Sequence, residues 1–76
     1  ETDEEKKKES FRFMKLSADQ GMVPAQMLLA RMYLNGYTVD RDLVEARRLC
    51  ELAAARAFGP WHDNVRELRE DIAAKM

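Results

Sequence analysis

Residues 21–61 read GMVPAQMLLARMYLNGYTVDRDLVEARRLCELAAARAFGPW, and this stretch decides the fold. Pro24 stands before a run of good helix formers, where the missing N–H of proline costs nothing, because the first N–H groups of a helix have no internal partner. Gly36 follows Asn35, where a helix would end in the left-handed conformation that glycine tolerates. The stretch therefore predicts a helix from Pro24 to Asn35, a short loop, and a second helix with Asp40 as its N-cap.

The flanking segments predict two further helices. Thr2 and Glu5 have the spacing of a capping box, so a helix is expected to start near Asp3 and to stop at Gly21. In residues 61–76 the apolar side chains recur every three or four positions, which is typical of an amphipathic helix. Short loops between four helices make consecutive helices antiparallel, so the sequence predicts an all-α fold of stacked helix hairpins.

The composition is that of a folded helical chain with no strong overall charge. Of its 76 residues, 46% are hydrophobic and 36% are charged, which favours amphipathic helices over disorder. The net charge of -1 gives no field that would attract nucleic acid, so a nucleic-acid partner is not expected. Cys50 is the only cysteine and no apolar run is long enough to span a membrane, which favours a reducing compartment and predicts no membrane span.

The sequence repeats itself at an offset of 36 residues. Identical residues fall on one another at five pairs of positions: Glu9 and Glu45, Arg12 and Arg48, Leu16 and Leu52, Ala18 and Ala54, and Pro24 and Pro60. A period of this length in a helical chain is typical of a helix-hairpin solenoid. Small residues at positions 17, 18, 53 and 54 suit the close crossing of helices in such a stack.

A longer pattern of small, apolar and glycine positions runs through residues 24–57. It consists of Ala25, Leu29, Tyr33, Gly36, Val39, Asp42, Ala46, Leu49, Ala53 and Ala54. In this pattern the chain resembles the SEL-1-like repeat, a relative of the tetratricopeptide repeat. The resemblance implies one α-solenoid domain over residues 1–76, made of a half unit (3–21), a full unit (24–57) and a capping helix (61–76). Trp61 stands where a small residue opens the next unit, which suggests that the last helix has no further repeat behind it.

The resemblance implies a protein–protein interaction adaptor that uses the surface of the first helix of each unit. On the helix from Pro24, one stripe is expected to pack inward: Ala25, Leu28, Leu29 and Met32. A different side of this helix is partly apolar and is the candidate partner-binding patch: Met27, Arg31, Leu34 and Asn35. Methionine adapts to many surfaces and arginine is enriched at interface hot spots. The alternative is that Met27 and Leu34 pack against a neighbouring helix of the same chain.

A set of acidic residues is the second part of the candidate site. Adding 36 to the patch positions gives acids on the outer side of the last helix: Asp63, Glu67, Glu70 and Asp71. If the solenoid geometry holds, these acids lie beside the patch and would accept a basic peptide. The alternative is a solvated terminal face, because a capping helix needs a polar exterior.

No group of residues is placed for catalysis or for metal binding. His62 and Asp63 are adjacent on a helix and point in different directions, and no second cysteine or histidine has zinc-ligand spacing. We therefore expect no enzyme activity, no cofactor and no metal. Cys50 is interpreted as a small buried apolar residue, and Trp61 and the three phenylalanines as core anchors.

Two classes of function remain open. The first is an adaptor that binds a partner protein or peptide. The second is a purely structural role, as the terminal unit of a longer helical-repeat protein or a small subunit of a larger assembly. An isolated fragment of a solenoid would expose its ends and self-associate.

Overall fold

A computed structural model describes residues 2–37 and 39–76. These residues form four helices: α1 (Asp3–Asp19), α2 (Val23–Asn35), α3 (Leu43–Arg56) and α4 (Trp61–Lys75). They contain no strand, so the predicted all-α fold is confirmed. Each helix packs on the next one along the chain, and α2 also contacts α4, whereas α1 contacts α2 alone. This is the layout of stacked helix hairpins, with α2 at the centre.

The first helix starts at the predicted capping box. The backbone N–H of Glu5 donates to Thr2 Oγ1 at 3.2 Å, and the backbone N–H of Thr2 donates to Glu5 Oε2 at 3.4 Å. Two N–H groups that would otherwise have no helical partner are thus satisfied. At the other end, Gly21 has a φ of +86° and turns the chain into α2. A side chain there would also collide with the guanidinium group of Arg56.

The loop between α2 and α3 corrects one prediction from the sequence. The N-cap of α3 is Asp42, whose Oδ1 accepts the backbone N–H of Glu45 at 3.0 Å, and the prediction of Asp40 was wrong. The physical reason is a hydrogen bond from the backbone N–H of Asp42 to the carbonyl oxygen of Tyr33, at 2.9 Å. This bond holds the chain against α2, so helical structure begins two residues later than expected.

The core lies between α2, α3 and α4 and is built of small and medium-sized side chains. Ala30, Ala46 and Ala53 have no exposed surface, which agrees with a close approach of α2 and α3. The other buried apolar residues are Ala18, Val23, Ala25, Met27, Leu29, Leu34, Leu49, Cys50, Val65, Leu68 and Ile72. Cys50 is thus a buried apolar residue, as expected from the sequence.

Several large apolar residues that were expected in the core are exposed instead. Leu28, placed in the inward stripe from the sequence, is 47% exposed. Phe13 and Phe58, interpreted as core anchors, are also exposed, whereas Phe11 packs edge-on against Tyr33. Phe13 lies on α1, which has a single neighbouring helix in the described part of the chain.

One buried polar side chain joins α1 to α2. Gln26 is 3% exposed, and its Nε2 donates to the carbonyl oxygen of Ala18 at 3.1 Å. That carbonyl lies in the last turn of α1 and also accepts the backbone N–H of Gly21 at 2.9 Å. The bond therefore gives the buried amide N–H group an acceptor and joins α1 to α2.

Candidate protein-binding groove

An apolar groove lies between α1 and α2 on the side away from α3. The residues that line it are Lys6, Lys7, Ser10 and Met14 of α1, Leu28, Arg31, Met32 and Asn35 of α2, and Tyr37 after α2. We call it the α1–α2 groove. The part whose lining includes the apolar residues Met14, Leu28 and Met32 encloses about 290 Å³. A shallow apolar groove of this kind suits a protein segment better than a small molecule, which needs a more enclosed site.

The repeat explains why this groove is open. We call the residue 36 positions away in the sequence a counterpart, so that α3 is the counterpart of α1. Phe13 on α1 is 67% exposed, whereas its counterpart Leu49 on α3 is 3% exposed. Likewise Ser10 is exposed, whereas its counterpart Ala46 is fully buried. The same helix face is thus covered in one unit and uncovered in the other.

The covering element in the full unit is α2. In the described residues α3 contacts α2 and α4, and α1 contacts only α2. The pair α1 and α2 corresponds to the pair α3 and α4. In the second pair, α3 also packs on the helix that precedes it, which is α2. In the described residues α1 has no corresponding contact with a preceding helix. The α1 side of the α1–α2 groove, at Ser10 and Met14, thus corresponds to Ala46 and Cys50 on α3, which are buried one unit further along the chain.

The groove carries positive charge along its rim. Lys6 and Lys7 stand at one end and Arg31 on the α2 side, and no acidic residue is among those that line it. The Lys7 ammonium group lies 5.5 Å from the centre of the Tyr37 ring, which is within the range of a cation–π interaction. The groove thus combines an apolar floor with a basic rim.

The patch predicted from the sequence divides into two pairs. Arg31 and Asn35 line the α1–α2 groove, with Arg31 half-buried and Asn35 exposed. Met27 and Leu34 are buried, at 7% and 5% exposure, and belong to the core. For these two residues the structure agrees with the alternative of packing within the chain, because α3 covers that side of α2.

The four acids of the predicted site lie away from the groove. Asp63, Glu67, Glu70 and Asp71 are all exposed on α4, and none of them lines the α1–α2 groove. The carboxylate of Asp63 instead accepts a hydrogen bond from Arg66 Nη2 at 3.1 Å. The acids form a solvated face, as in the alternative considered from the sequence.

Cys50 sits in the seam between α3 and α4. Its Sγ donates to the carbonyl oxygen of Val65 at 3.7 Å, and the side chain is fully enclosed. Burial raises the pKa of the Cys50 thiol, an effect that Arg69 opposes and Glu51 supports. A thiol that is both enclosed and protonated is a poor nucleophile.

Some residues of the groove were missed in the sequence because nothing local identifies them. Leu28 and Met14 read as ordinary members of amphipathic helices. The offset of 36 contains the signal, since it pairs Phe13 and Ser10 with residues that α2 covers in the next unit. Comparing each residue of α1 with its counterpart on α3, and noting that α3 packs on α2, would have located the groove.

Within the described residues, no group of histidine, cysteine and acidic side chains is arranged to hold a metal ion. None of the four helices combines the length and the apolar character needed to cross a membrane.

Comparison with known protein families identifies the family of this chain. No curated protein and no solved structure gives a significant match to the chain. The family model of the Sel1 repeat matches residues 3–22 and 23–58, well over half of the chain, and leaves α4 outside. Sel1 repeats are helical solenoid units that generally serve as protein-interaction modules and scaffolds. The chain belongs to the Sel1 repeat family.

Proposed function

We propose that this chain is a protein–protein interaction adaptor and that its partner docks in the α1–α2 groove. The observation that supports this most is the contrast between Phe13, which is 67% exposed, and its counterpart Leu49, which is 3% exposed. Phe13 on α1 and the groove residue Leu28 on α2 both leave large apolar side chains exposed to water, and such surfaces commonly mark interaction sites. The adaptor uses Arg31 and Asn35 from the predicted patch, together with the groove residues around them.

The other residues of the predicted site have supporting roles. Met27 and Leu34 support the binding surface from within, by holding α2 against α3, and do not touch the partner. Asp63, Glu67, Glu70 and Asp71 keep the outer face of α4 in water. This division assigns recognition to one end of the molecule and solubility to the other.

A matched pair of leucines tests the adaptor. Leu28 in the groove is 47% exposed and Leu52 on α3 is 43% exposed, so replacing either by aspartate removes a similar apolar surface. We expect Leu28→Asp to lose a partner from its native source and Leu52→Asp to retain it, while both variants keep the helical circular dichroism of the wild type. A photo-crosslinking residue at position 28 should form an adduct with that partner, and the same residue at position 52 should not.

The outcome that contradicts the adaptor is equally clear. If Leu28→Asp and Leu52→Asp retain the same proteins in the same amounts, the groove is not the docking surface. The structural alternative has an observation in its favour, because the polar outer face of α4 suits the end of a repeat stack. It predicts that crosslinks from position 28 join this chain only to further helical repeats of the same assembly.

A further inference from the structure

We infer that the segment bound in the α1–α2 groove is an amphipathic helix that runs parallel to α2 and carries acidic residues in its last two turns. The inference rests on the proposed function and specifies the chemistry of the partner. Three observations support it independently: the repeat geometry, the small residues of α1 at the groove, and the distribution of charge along its rim.

The repeat geometry indicates a helix. In the full unit, α2 lies against both α3 and α4. The pair α1 and α2 presents the same arrangement one unit earlier, with its groove empty of any residue in the described chain. A helix that packs on α1 and α2 in the way that α2 packs on α3 and α4 would fill this groove. The same packing is thus already present within the molecule.

The face of α1 at the groove has the small side chains that such packing needs. Ser10 lines the groove, and Ser17 lies two turns further along α1; their counterparts Ala46 and Ala53 have no exposed surface in the full unit. Small residues at these positions let two helix backbones approach closely. Phe13, one turn from Ser10 on α1, has an exposed apolar side chain, whereas its counterpart Leu49 is buried in the full unit.

The repeat also sets the direction of the bound helix. Consecutive helices of the chain are antiparallel, so α2 and α4 run in the same direction. By the same relation the bound helix runs parallel to α2 and antiparallel to α1. Its C-terminal end therefore lies beside the N-terminal part of α1, where Lys6 and Lys7 stand.

Charge then specifies the end of the partner. Cations near the C-terminus of a helix interact favourably with its macrodipole, and acidic side chains in its last turns would pair with Lys6 and Lys7. Arg31 adds a third positive charge on the α2 side of the groove. A partner with lysine or arginine in the same turns would meet like charge on both sides.

A second copy of this chain fits the groove less well. Two copies that met groove to groove would bring together Lys6, Lys7 and Arg31 from each. The acidic helix of this chain is α4, and its apolar residues Val65, Leu68 and Ile72 are at most 3% exposed. Its acids therefore lack an exposed apolar stripe beside them.

Three synthetic peptides test the inference with the intact chain. Each is an 18-residue helical peptide with the same leucine and methionine stripe. The first carries three glutamates in its last two turns, the second carries three lysines there, and the third carries the glutamates in its first two turns. We expect the first to bind about tenfold more tightly than the second and several-fold more tightly than the third at low salt, as a few solvent-accessible ion pairs allow. Fluorescence anisotropy measures the three values of Kd, and the ratios should shrink in concentrated salt.

Charge reversal on α1 provides the matched control. Lys6→Glu with Lys7→Glu reverses two charges that line the groove, whereas Lys8→Glu with Arg12→Glu reverses two exposed charges of the same helix that do not. We expect the first double variant to prefer the lysine peptide and the second to retain the wild-type order. Equal affinity of all three peptides for the wild type, or an unchanged order in Lys6→Glu/Lys7→Glu, overturns the inference.

The two proposals fail in different ways. If no peptide binds, or if the chain forms a dimer by analytical ultracentrifugation that Leu28→Asp disrupts, the acidic helix is the wrong occupant. Retention of a native partner by the wild type and its loss by Leu28→Asp would still support the adaptor in that case. If all three peptides bind Leu28→Asp as tightly as the wild type, the groove itself is wrong and both proposals fail.

Discussion

The helices α2 and α4 occupy the same position in successive units but have different surroundings. Met27 and Leu34 on α2 are buried, whereas their counterparts Asp63 and Glu70 on α4 are exposed. The inner faces agree, since Leu29 and its counterpart Val65 are both 3% exposed. Thus α2 packs against other helices on two sides, whereas α4 does so on one side.

The difference shows that one helix position can carry an apolar or a polar outer face without a change of fold. The inner face of α4 keeps the apolar residues that hold it against α3 and α2. Its outer face replaces two apolar positions by acids, and Arg66 pairs with Asp63 there instead of packing. A face of this kind gives a further helix nothing apolar to bind, whereas the α1–α2 groove at the other end keeps its apolar floor.

The largest expected effect comes from giving α2 a charged outer face like that of α4. Met27→Glu with Leu34→Lys places two charges among residues of the core, at a cost of about 4 kcal/mol or more. A domain of this size has a free energy of unfolding of roughly 5 kcal/mol, so the variant should be largely unfolded at 25 °C by circular dichroism. Asp63→Ala with Glu70→Ala on α4 is the control and should unfold within about 0.5 kcal/mol of the wild type. Two equally stable variants would mean that α2 and α4 do not differ in packing.

A smaller effect should appear at alkaline pH in the seam that attaches α4. Because burial raises the pKa of Cys50 above its ordinary value of 9.0, the unfolded chain loses this proton first as the pH rises. The contribution of the protonated thiol to the free energy of unfolding is complete below the ordinary pKa and is lost as the pH climbs through the raised value. Urea unfolding from pH 7.5 to pH 10.5 measures it.

The control for this prediction is Cys50→Ala, which lacks the thiol. Tyr33, whose pKa is raised by burial and by Glu45 and Asp42, is present in both proteins and contributes equally. The wild type should therefore lose stability more steeply with pH than Cys50→Ala. If the free energy of unfolding falls equally with pH in both proteins, then either the seam between α3 and α4 opens or the Cys50 thiol ionises as readily as in the unfolded chain.

The smallest effect on stability is expected from the reverse exchange on α4. Asp63→Met with Glu70→Leu gives α4 the apolar outer face of α2 and should change the free energy of unfolding by less than about 0.5 kcal/mol, since both positions are exposed. The new face should dock in the α1–α2 groove of another copy, because that pairing repeats the contact between α2 and α3. Such a head-to-tail contact does not close, so the average mass should grow with concentration in sedimentation experiments.

Leu28→Asp, added to this variant, is the control for the mode of association. It should restore the monomer if the groove receives the new face of α4. Association that persists in the triple variant would show that the new apolar face pairs with itself.

Much of the fold was predictable because its signals are local. The capping box of Thr2 and Glu5, the glycine after α2 and the offset of 36 each follow from a few neighbouring residues or from simple repetition. The distinction between Asp40 and Asp42 as N-cap was not local, since it depends on the hydrogen bond from the backbone of Asp42 to Tyr33. Two aspartates in the sequence Asp-Arg-Asp offer the same cap, and only tertiary contact selects between them.

The site was harder to predict because α2 is apolar on more than one side. Leu28 and Leu34 are both suitable for a core, and helical periodicity cannot decide which one faces a neighbouring helix. The choice depends on the number and placement of the neighbours of α2, which is a property of the assembled stack. For the same reason Arg31 and Asn35 could be chosen from the sequence as surface residues, whereas their apolar companions could not.

The buried amide of Gln26 has a consequence for the thermodynamics of binding. Its hydrogen bond to the Ala18 carbonyl fixes how far α1 can slide along α2, and these are the two helices that form the groove. Preorganised surfaces lose less conformational entropy on association, which appears as higher affinity for the same buried area. If a helix docks in the groove as proposed, this buried glutamine lowers the entropy cost of binding, because it holds in place the two helices that form the groove.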